Sequence, residues 1–297
     1  MTTWTLSEIR EAVRKVTGRL TSGDITNSEL DEAINRYYQF TFPAEVKLDR
    51  KHTYYEFLTV PNQPWYTLPN TTYTNFEPPA TVDNLSMLWY QDPAAFEQQN
   101  PKQVARSTPW TGDGVTTAFS TTLSPLPILP DSVLITDNTE TFEDTTRTYT
   151  TSNVNITGSL GGTATINYDS GSIAVTFNTA PTNGQLIYLS YIPFKAGIPK
   201  AVLLYNNEFE MFPPPDTAYK FKVKSYAIVA ELTNGTDTPD LEEWGLAIVY
   251  GTAKDLFAQY AELDAYAKIN ILYREQITYI LTRTTQNLLN TRAMPQF

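Results

Sequence analysis

WTLSEIREAVRKVTGRLTSGDITNSELDEAINRYY, residues 4–38, decides how the chain begins to fold. Thr5-Leu6-Ser7-Glu8 is a capping box, with a hydroxyl at the cap and a carboxylate three residues on. Trp4 and Ile9 are spaced for a hydrophobic staple across it. Leu6, Ile9, Val13, Val16 and Leu20 recur at intervals of three and four, which predicts one apolar helix face. Thr21-Ser22-Gly23-Asp24 interrupts that pattern. The start signal then returns as Thr26-Asn27-Ser28-Glu29, with Ile25 and Leu30 placed for a second staple. Leu30, Ala33, Ile34, Tyr37 and Tyr38 continue the face. Two capped helices joined by a short loop predict an αα-hairpin over residues 1–42.

Downstream, the period changes. Thr53–Val60 and Trp65–Thr74 are rich in Thr and aromatic residues, with prolines at 61, 64, 69, 78 and 79, and read as short strands between proline turns. Ala94-Ala95-Phe96-Glu97 reads as a helical turn. Strand-like runs at 116–121, 132–136, 163–168, 172–177 and 186–191 are separated by Asp169-Ser170-Gly171 and Thr182-Asn183-Gly184. Ile173-Ala174-Val175-Thr176-Phe177 alternates large and small residues, as a strand with one buried face does. Between 109 and 194, seven acids stand against Arg147 alone. Asn206-Asn207 marks a hairpin turn between two apolar runs. Thr238-Pro239-Asp240 reads as the start of a helix, with a break near Leu263-Asp264 and helical spacing through Ile269, Leu272, Gln276, Ile280, Thr284 and Leu288. The expected architecture is α+β. Terminal helices (1–42 and 234–297) form a bundle, residues 43–108 plus 198–233 form a discontinuous β-domain, and residues 109–197 form an inserted all-β domain.

Composition excludes several kinds of chemistry. The 297 residues contain no cysteine and one histidine. Disulfide frameworks, thiolate metal sites, cysteine nucleophiles and multi-histidine sites are therefore excluded. A formal net charge of −11 argues against holding nucleic acid by phosphate neutralisation. The start of the chain reads as no secretory signal, and no apolar run reaches the length of a spanning helix. Only 18% of residues are charged while 13% are aromatic, a balance that favours sheets and contact surfaces.

The candidate reactive groups each have a plain structural reading. His52 lacks a neighbouring nucleophile or orienting carboxylate and reads as a surface or strand-end residue. Glu140, Glu143 and Asp144 resemble an acid pair, but in a Thr-rich loop they read as solvated. Asp137, Glu140 and Asp144 are also candidate calcium ligands, but the EF-hand pattern is absent. Gly158-Ser159-Leu160-Gly161-Gly162 lacks the ending of a phosphate loop and reads as a turn. The Asn-x-Ser/Thr triplets at Asn70, Asn84, Asn155 and Asn234 have no secretory signal to support glycosylation. Lys220, Lys222 and Lys224 on one strand face read as a solvated face or protection of a sheet edge. Met294, Pro295 and Phe297 form an apolar tip behind Arg292, suited to docking in a neighbour's groove.

Several short patterns also carry a family likeness. Thr17-Gly18-Arg19 followed by Ile34-Asn35-Arg36-Tyr37-Tyr38 resembles the opening of head-to-tail adaptors (connector, neck or head-completion proteins) of tailed double-stranded DNA bacteriophages. Phe212-Pro213-Pro214-Pro215-Asp216-Thr217-Ala218-Tyr219 is similar to a strand connection of such proteins. So is the pattern Trp244, Tyr250-Gly251, Asp255, Tyr273, Gln276 and Arg292 to Phe297. Gly112-Asp113-Gly114, Pro130-Asp131-Ser132-Val133 and Tyr168-Asp169-Ser170-Gly171 resemble a small β-domain of phage virion proteins. The resemblance implies a structural virion protein, not an enzyme, without cofactor or metal. It implies assembly in the bacterial host cytoplasm and residence at the capsid vertex. There it would form a homo-oligomeric ring, commonly of twelve copies, between the portal protein and a tail or nozzle protein, with double-stranded DNA in transient passage and no membrane contact. By the same analogy Arg292, Met294, Pro295 and Phe297 would dock onto the portal. A tail-fibre or baseplate protein with a carbohydrate- or surface-binding β-domain is the alternative.

Overall fold

The computed structural model describes residues 4–46, 52–240 and 244–289. Helices α1 (Leu6–Thr17) and α2 (Asn27–Arg36) lead through a π-helical turn, Tyr37–Thr41, into the short α3 (Phe42–Glu45). Strands β1 (His52–Leu58), β2 (Trp65–Thr67), β3 (Tyr73–Val82), β4 (Leu85–Ser86) and β5 (Leu88–Tyr90) precede α4 (Pro93–Gln99). Then come β6 (Ala105–Thr111), β7 (Ala118–Thr122), β8 (Leu134–Thr136), β9 (Thr141–Glu143), β10 (Val154–Thr157), β11 (Thr163–Ile166), β12 (Ser172–Thr176) and β13 (Leu186–Tyr191). Strands β14 (Ala201–Tyr205), β15 (Glu208–Phe212) and β16 (Lys220–Ala227) are followed by α5 (Gly245–Gln259) and α6 (Leu263–Leu289). The class is α+β.

The chain divides into two compact units. A helical unit takes the described residues up to Thr53, residues 71–75 and those from Ser225 onward. A β unit takes residues 54–70 and 76–224.

In the helical unit both capping boxes form. Thr5 and Thr26 accept from the Glu8 and Glu29 amides, and each glutamate accepts in return from the cap amide. Leu6, Ile9 and Val13 are buried as the spacing predicts, but Leu20 is exposed because α1 ends at Thr17 with Gly18 in the left-handed conformation. These side chains share a core with Leu30, Ile34, Tyr37, Trp244, Ile248 and Tyr273. Two glycines let α5 approach aromatic rings. A Cβ on Gly245 would lie 2.1 Å from the Trp4 ring, and one on Gly251 2.0 Å from the Tyr37 ring.

The helix expected from Thr238 begins instead at Gly245. The backbone ahead of it bonds to the N-terminal helices. The Asp237 and Gly235 carbonyls accept from the amides of Leu6 and Ser7, at 2.8 and 3.0 Å, satisfying orphan donors of α1. The Asp240 amide donates to the Tyr38 hydroxyl at 2.9 Å.

The β unit contains two sheet pairs. Strands β2-β15-β14-β5 and β1-β16-β3-β4 form four-stranded sheets in those orders, with the chain passing between units inside β1, β3 and β16. Aromatic rings fill the space between the sheets: Phe209 packs on Phe76, Phe221 and Trp89 with centroids 5.3, 5.3 and 6.3 Å apart. Pro78-Pro79, read as punctuation, lie within β3. Asn206 and Asn207, both at positive φ, close the β14–β15 hairpin.

The second pair is β10-β11-β12-β7 and β6-β13-β8-β9. Ile135, Phe142, Ile166, Tyr168, Val175 and Leu189 are among its core residues. Both edges are tied. The Trp110 Nε1 donates to the Ser120 carbonyl at 3.2 Å, and Phe142 bridges to Gly158. Strand β6 starts at Ala105, opposite Tyr191, ahead of the boundary expected at 109.

Candidate functional site

Arg292, Met294, Pro295 and Phe297 lie outside the described residues. The other candidates divide between the units.

Glu140 and Asp144, read above as solvated, are a correction. Asp137, Glu140 and Asp144 are buried, and only Glu143 stays exposed. Each buried carboxylate accepts from backbone donors that strand pairing leaves over. Glu140 Oε1 accepts from the Gly162 amide at 2.7 Å and Oε2 from the Asn178 amide at 2.8 Å. Asp137 Oδ1 accepts from the amides of Thr139 and Glu140. Asp144 accepts from the amides of Asp131 and Thr146 and from the Tyr168 hydroxyl. Burial and that last bond hold the Tyr168 hydroxyl well above the ordinary phenol range. The glycine-rich turn belongs to the same device. A Cβ on Gly158 would lie 2.3 Å, and one on Gly162 2.7 Å, from Glu140 Oε1. Glycines here make room for a carboxylate of the chain itself. Among the described residues no group of three acidic or histidine side chains is placed to hold a metal ion.

The lysines sit on an interior strand, not an edge. Lys220 and Lys222 pair with Glu56 of β1 at 2.6 and 3.3 Å, and Lys224 with Glu77 of β3 at 3.7 Å. Lys222 also lies 4.1 Å over the Tyr54 ring. The hydrogen bond from Lys220 holds the Glu56 carboxyl below its usual range. This ladder of cross-strand charge pairs leaves little cationic surface for phosphates. His52 opens β1 with its ring edge-on to Tyr226, centroids 5.5 Å apart.

Arg147, the lone base of its segment, reaches across the β unit. It pairs with Glu208 at 2.7 Å and lies 4.8 Å over the Trp65 ring. Its carbonyl accepts from Gln63, whose Oε1 accepts from the Tyr149 amide at 2.6 Å. Sequence reasoning missed this joint, since its partners are far away along the chain.

The helical unit holds a hydroxyl relay that sequence reasoning also missed. The Tyr37 hydroxyl donates to that of Tyr273 at 2.7 Å, and Tyr273 donates to Glu45. Lys254 stands 3.6 Å from Glu45 and 4.2 Å over the Tyr273 ring. Burial pushes both hydroxyls far above the ordinary phenol range, so they act as donors. The relay ends on a carboxylate that Lys254 already neutralises, which suits packing better than proton abstraction.

Two features are not consumed by internal packing. Helix α6 turns Ile269, Tyr273 and Ile280 inward, yet Ile271 and Tyr279 are 63% and 64% exposed, and Leu272 and Leu281 are also exposed. Leu272, in the same helical spacing as the buried Ile269 and Ile280, is thus outside. In the β unit a pocket of about 230 Å³ lies among Pro64, Leu129, Met211, Phe194 and Phe212. No protein-family model matches the chain, and no curated protein matches it. No described helix is long and apolar enough to cross a membrane.

Proposed function

We propose that this chain is a structural virion protein, a head-to-tail adaptor that assembles as a ring between portal and tail around the path of double-stranded DNA. One observation carries the reading: α6, about 40 Å long at 1.5 Å per residue, keeps an apolar inner face and still presents large apolar side chains outward. Buried side chains of that size each contribute about 1.5–3 kcal/mol, so a helix apolar on two faces is built to be covered on both. In this reading the helices of each copy form a bundle beside those of the next. The two sheets spanning 105–191 act as an inserted domain, and the segment bearing Arg292, Met294, Pro295 and Phe297 is the docking element. The protein is then no enzyme and needs no cofactor. The acids and lysines that resemble reactive groups are spent on backbone amides and on each other, which accords with such a role.

Negative-stain imaging of the purified chain with its portal protein tests the proposal. Rings stacked on portals are expected; a monomer or trimer in the presence of portal overturns it. A second reading, a fibre or baseplate protein, draws on the outer face of β8 and β13, where Leu134 and Tyr188 are 39% and 45% exposed beside Thr136 and Arg106. Glycan-array binding lost in Tyr188→Ala, together with an absence of rings, would favour that reading.

A further inference from the structure

The β-unit pocket is walled by Phe194 and Phe212 over a floor of Pro64, Leu129 and Met211, the last three buried. At about 230 Å³ it is smaller than the roughly 300–1,000 Å³ of sites that enclose drug-sized ligands. It suits one or two side chains of a peptide better than a cofactor. Aromatic and proline walls of this kind receive proline-containing extended segments, which bring little conformational entropy to lose. The rim is charged. Lys102 and Glu210 pair across it at 2.6 Å, each partly exposed, and Lys195 stands exposed beside them.

The chain carries a segment of matching chemistry. Beyond α6 lie residues 290–297, which include Arg292, Met294, Pro295 and Phe297. Eight residues span at most about 28 Å, which bounds the reach of the segment from the end of α6. Phe297 and Met294 supply the apolar side chains, and Pro295 the extended backbone. Arg292 supplies a cation that can share the Glu210 carboxylate with Lys102.

We infer that the pocket receives residues 294–297 of a second copy of this chain, so that each copy both donates a segment and accepts one. Donor and acceptor surfaces differ, so exchange passed from copy to copy is heterologous and runs head to tail, while reciprocal exchange would close a dimer. The inference rests on the assembly reading only in requiring that copies meet. It makes the neighbouring copy, not the portal, the receptor of the segment.

The test places a photoreactive benzoylphenylalanine at position 297 of the full-length chain. Equal amounts of isotopically light and heavy protein are mixed, irradiated with and without portal, and mapped by mass spectrometry. Mixed light–heavy cross-links to Pro101–Gln103, Phe194 or Phe212 are expected, and Met294→Asp should reduce them at least tenfold. Cross-links within one copy, to another surface, to portal alone, or none at all overturn the inference. Imaging the same sample separates this from the adaptor reading: rings without pocket cross-links refute the pocket alone, and pocket cross-links without rings refute the adaptor.

Discussion

The two units bury polar groups by opposite means. The helical unit buries hydroxyls, in the Tyr37–Tyr273 relay toward Glu45 and in Tyr38 accepting from Asp240. The β unit buries carboxylates, Asp137, Glu140 and Asp144. Helices satisfy their own interior amides, so the polar atoms of the helical core serve each other or the connecting backbone, as the buried Asn35 carboxamide does by donating to the Leu232 carbonyl and accepting from its amide. The turns of the β unit leave amides unpaired near the core, and an unpaired buried amide is costly. An ionised carboxylate is a strong acceptor for them. The lesson is that clustered acids in a Thr- and Gly-rich segment can serve as the missing strand partner rather than as an active site.

Breaking the helical side should have the largest effect. Gly251→Leu drives a side chain into the Tyr37 ring, where even a Cβ has no room. Overpacking of this kind costs about 3 kcal/mol or more. Thermal melts followed at 222 nm should lose their helical transition or shift it down by more than 10 °C, roughly what 2–3 kcal/mol does to a domain of this size. An unchanged melt would mean that α5 does not approach Tyr37 as described.

Breaking the β side should come next. Glu140→Ala leaves the amides of Gly162 and Asn178 without their acceptor, at about 1–3 kcal/mol for each buried donor. Urea unfolding followed by near-ultraviolet circular dichroism should register a loss of about 2–5 kcal/mol, while Glu143→Ala, at an exposed position, should stay within about 0.5 kcal/mol. Equal effects of the two would erase the distinction drawn between them.

A smaller loss is expected for Tyr273→Phe, which removes both hydrogen bonds of the relay's middle member but keeps the ring against Tyr37 and Lys254. About 1–3 kcal/mol is expected for bonds that end on a charged group, readable in the same urea titration. A stabilised variant would show the relay to be a burden on the core.

The smallest effect concerns acid. Asp113 accepts from the amides of Val115 and Thr116 and from the Thr116 hydroxyl, chiefly the last, which brings its pKa to about 2. A carboxyl depressed by folding contributes stability that is fully present above its unfolded value near 4 and is lost as pH falls through about 2. Asp113→Asn should therefore flatten the pH dependence of stability between about 4 and 2, with little change at pH 7 in that slope. A carboxyl resonance of Asp113 titrating near 4 by NMR would contradict the assignment.

Local signals were legible and distant ones were not. The capping boxes at Thr5 and Thr26, the Asn206-Asn207 hairpin and the alternation at 173–177 each depend on residues within a few positions of one another, and each forms. Glu140 was unreadable because its donors lie 22 and 38 residues away. The lysines of β16 do line its more exposed face, but their partners were not legible because Glu56 and Glu77 are distant in sequence and only the sheet order makes them neighbours. The bonds of the segment before α5 are unreadable for the same reason, since its carbonyls at Gly235 and Asp237 accept from Ser7 and Leu6 at the other end of the chain. Of the candidate site, the docking segment lies outside the described residues, while its proposed receptor is assembled from five separate stretches that no local pattern joins.

The account turns on α6 being covered by another copy. Sedimentation velocity, with and without portal protein, should compare the wild-type chain with the Ile271→Asp/Tyr279→Asp double variant, whose altered positions face solvent. The account predicts that wild type sediments as an oligomer far above the 33.5 kDa of one chain, and that the variant keeps its circular dichroism spectrum but sediments as a monomer. A monomeric wild type under both conditions, or a variant that assembles as wild type does, would contradict it.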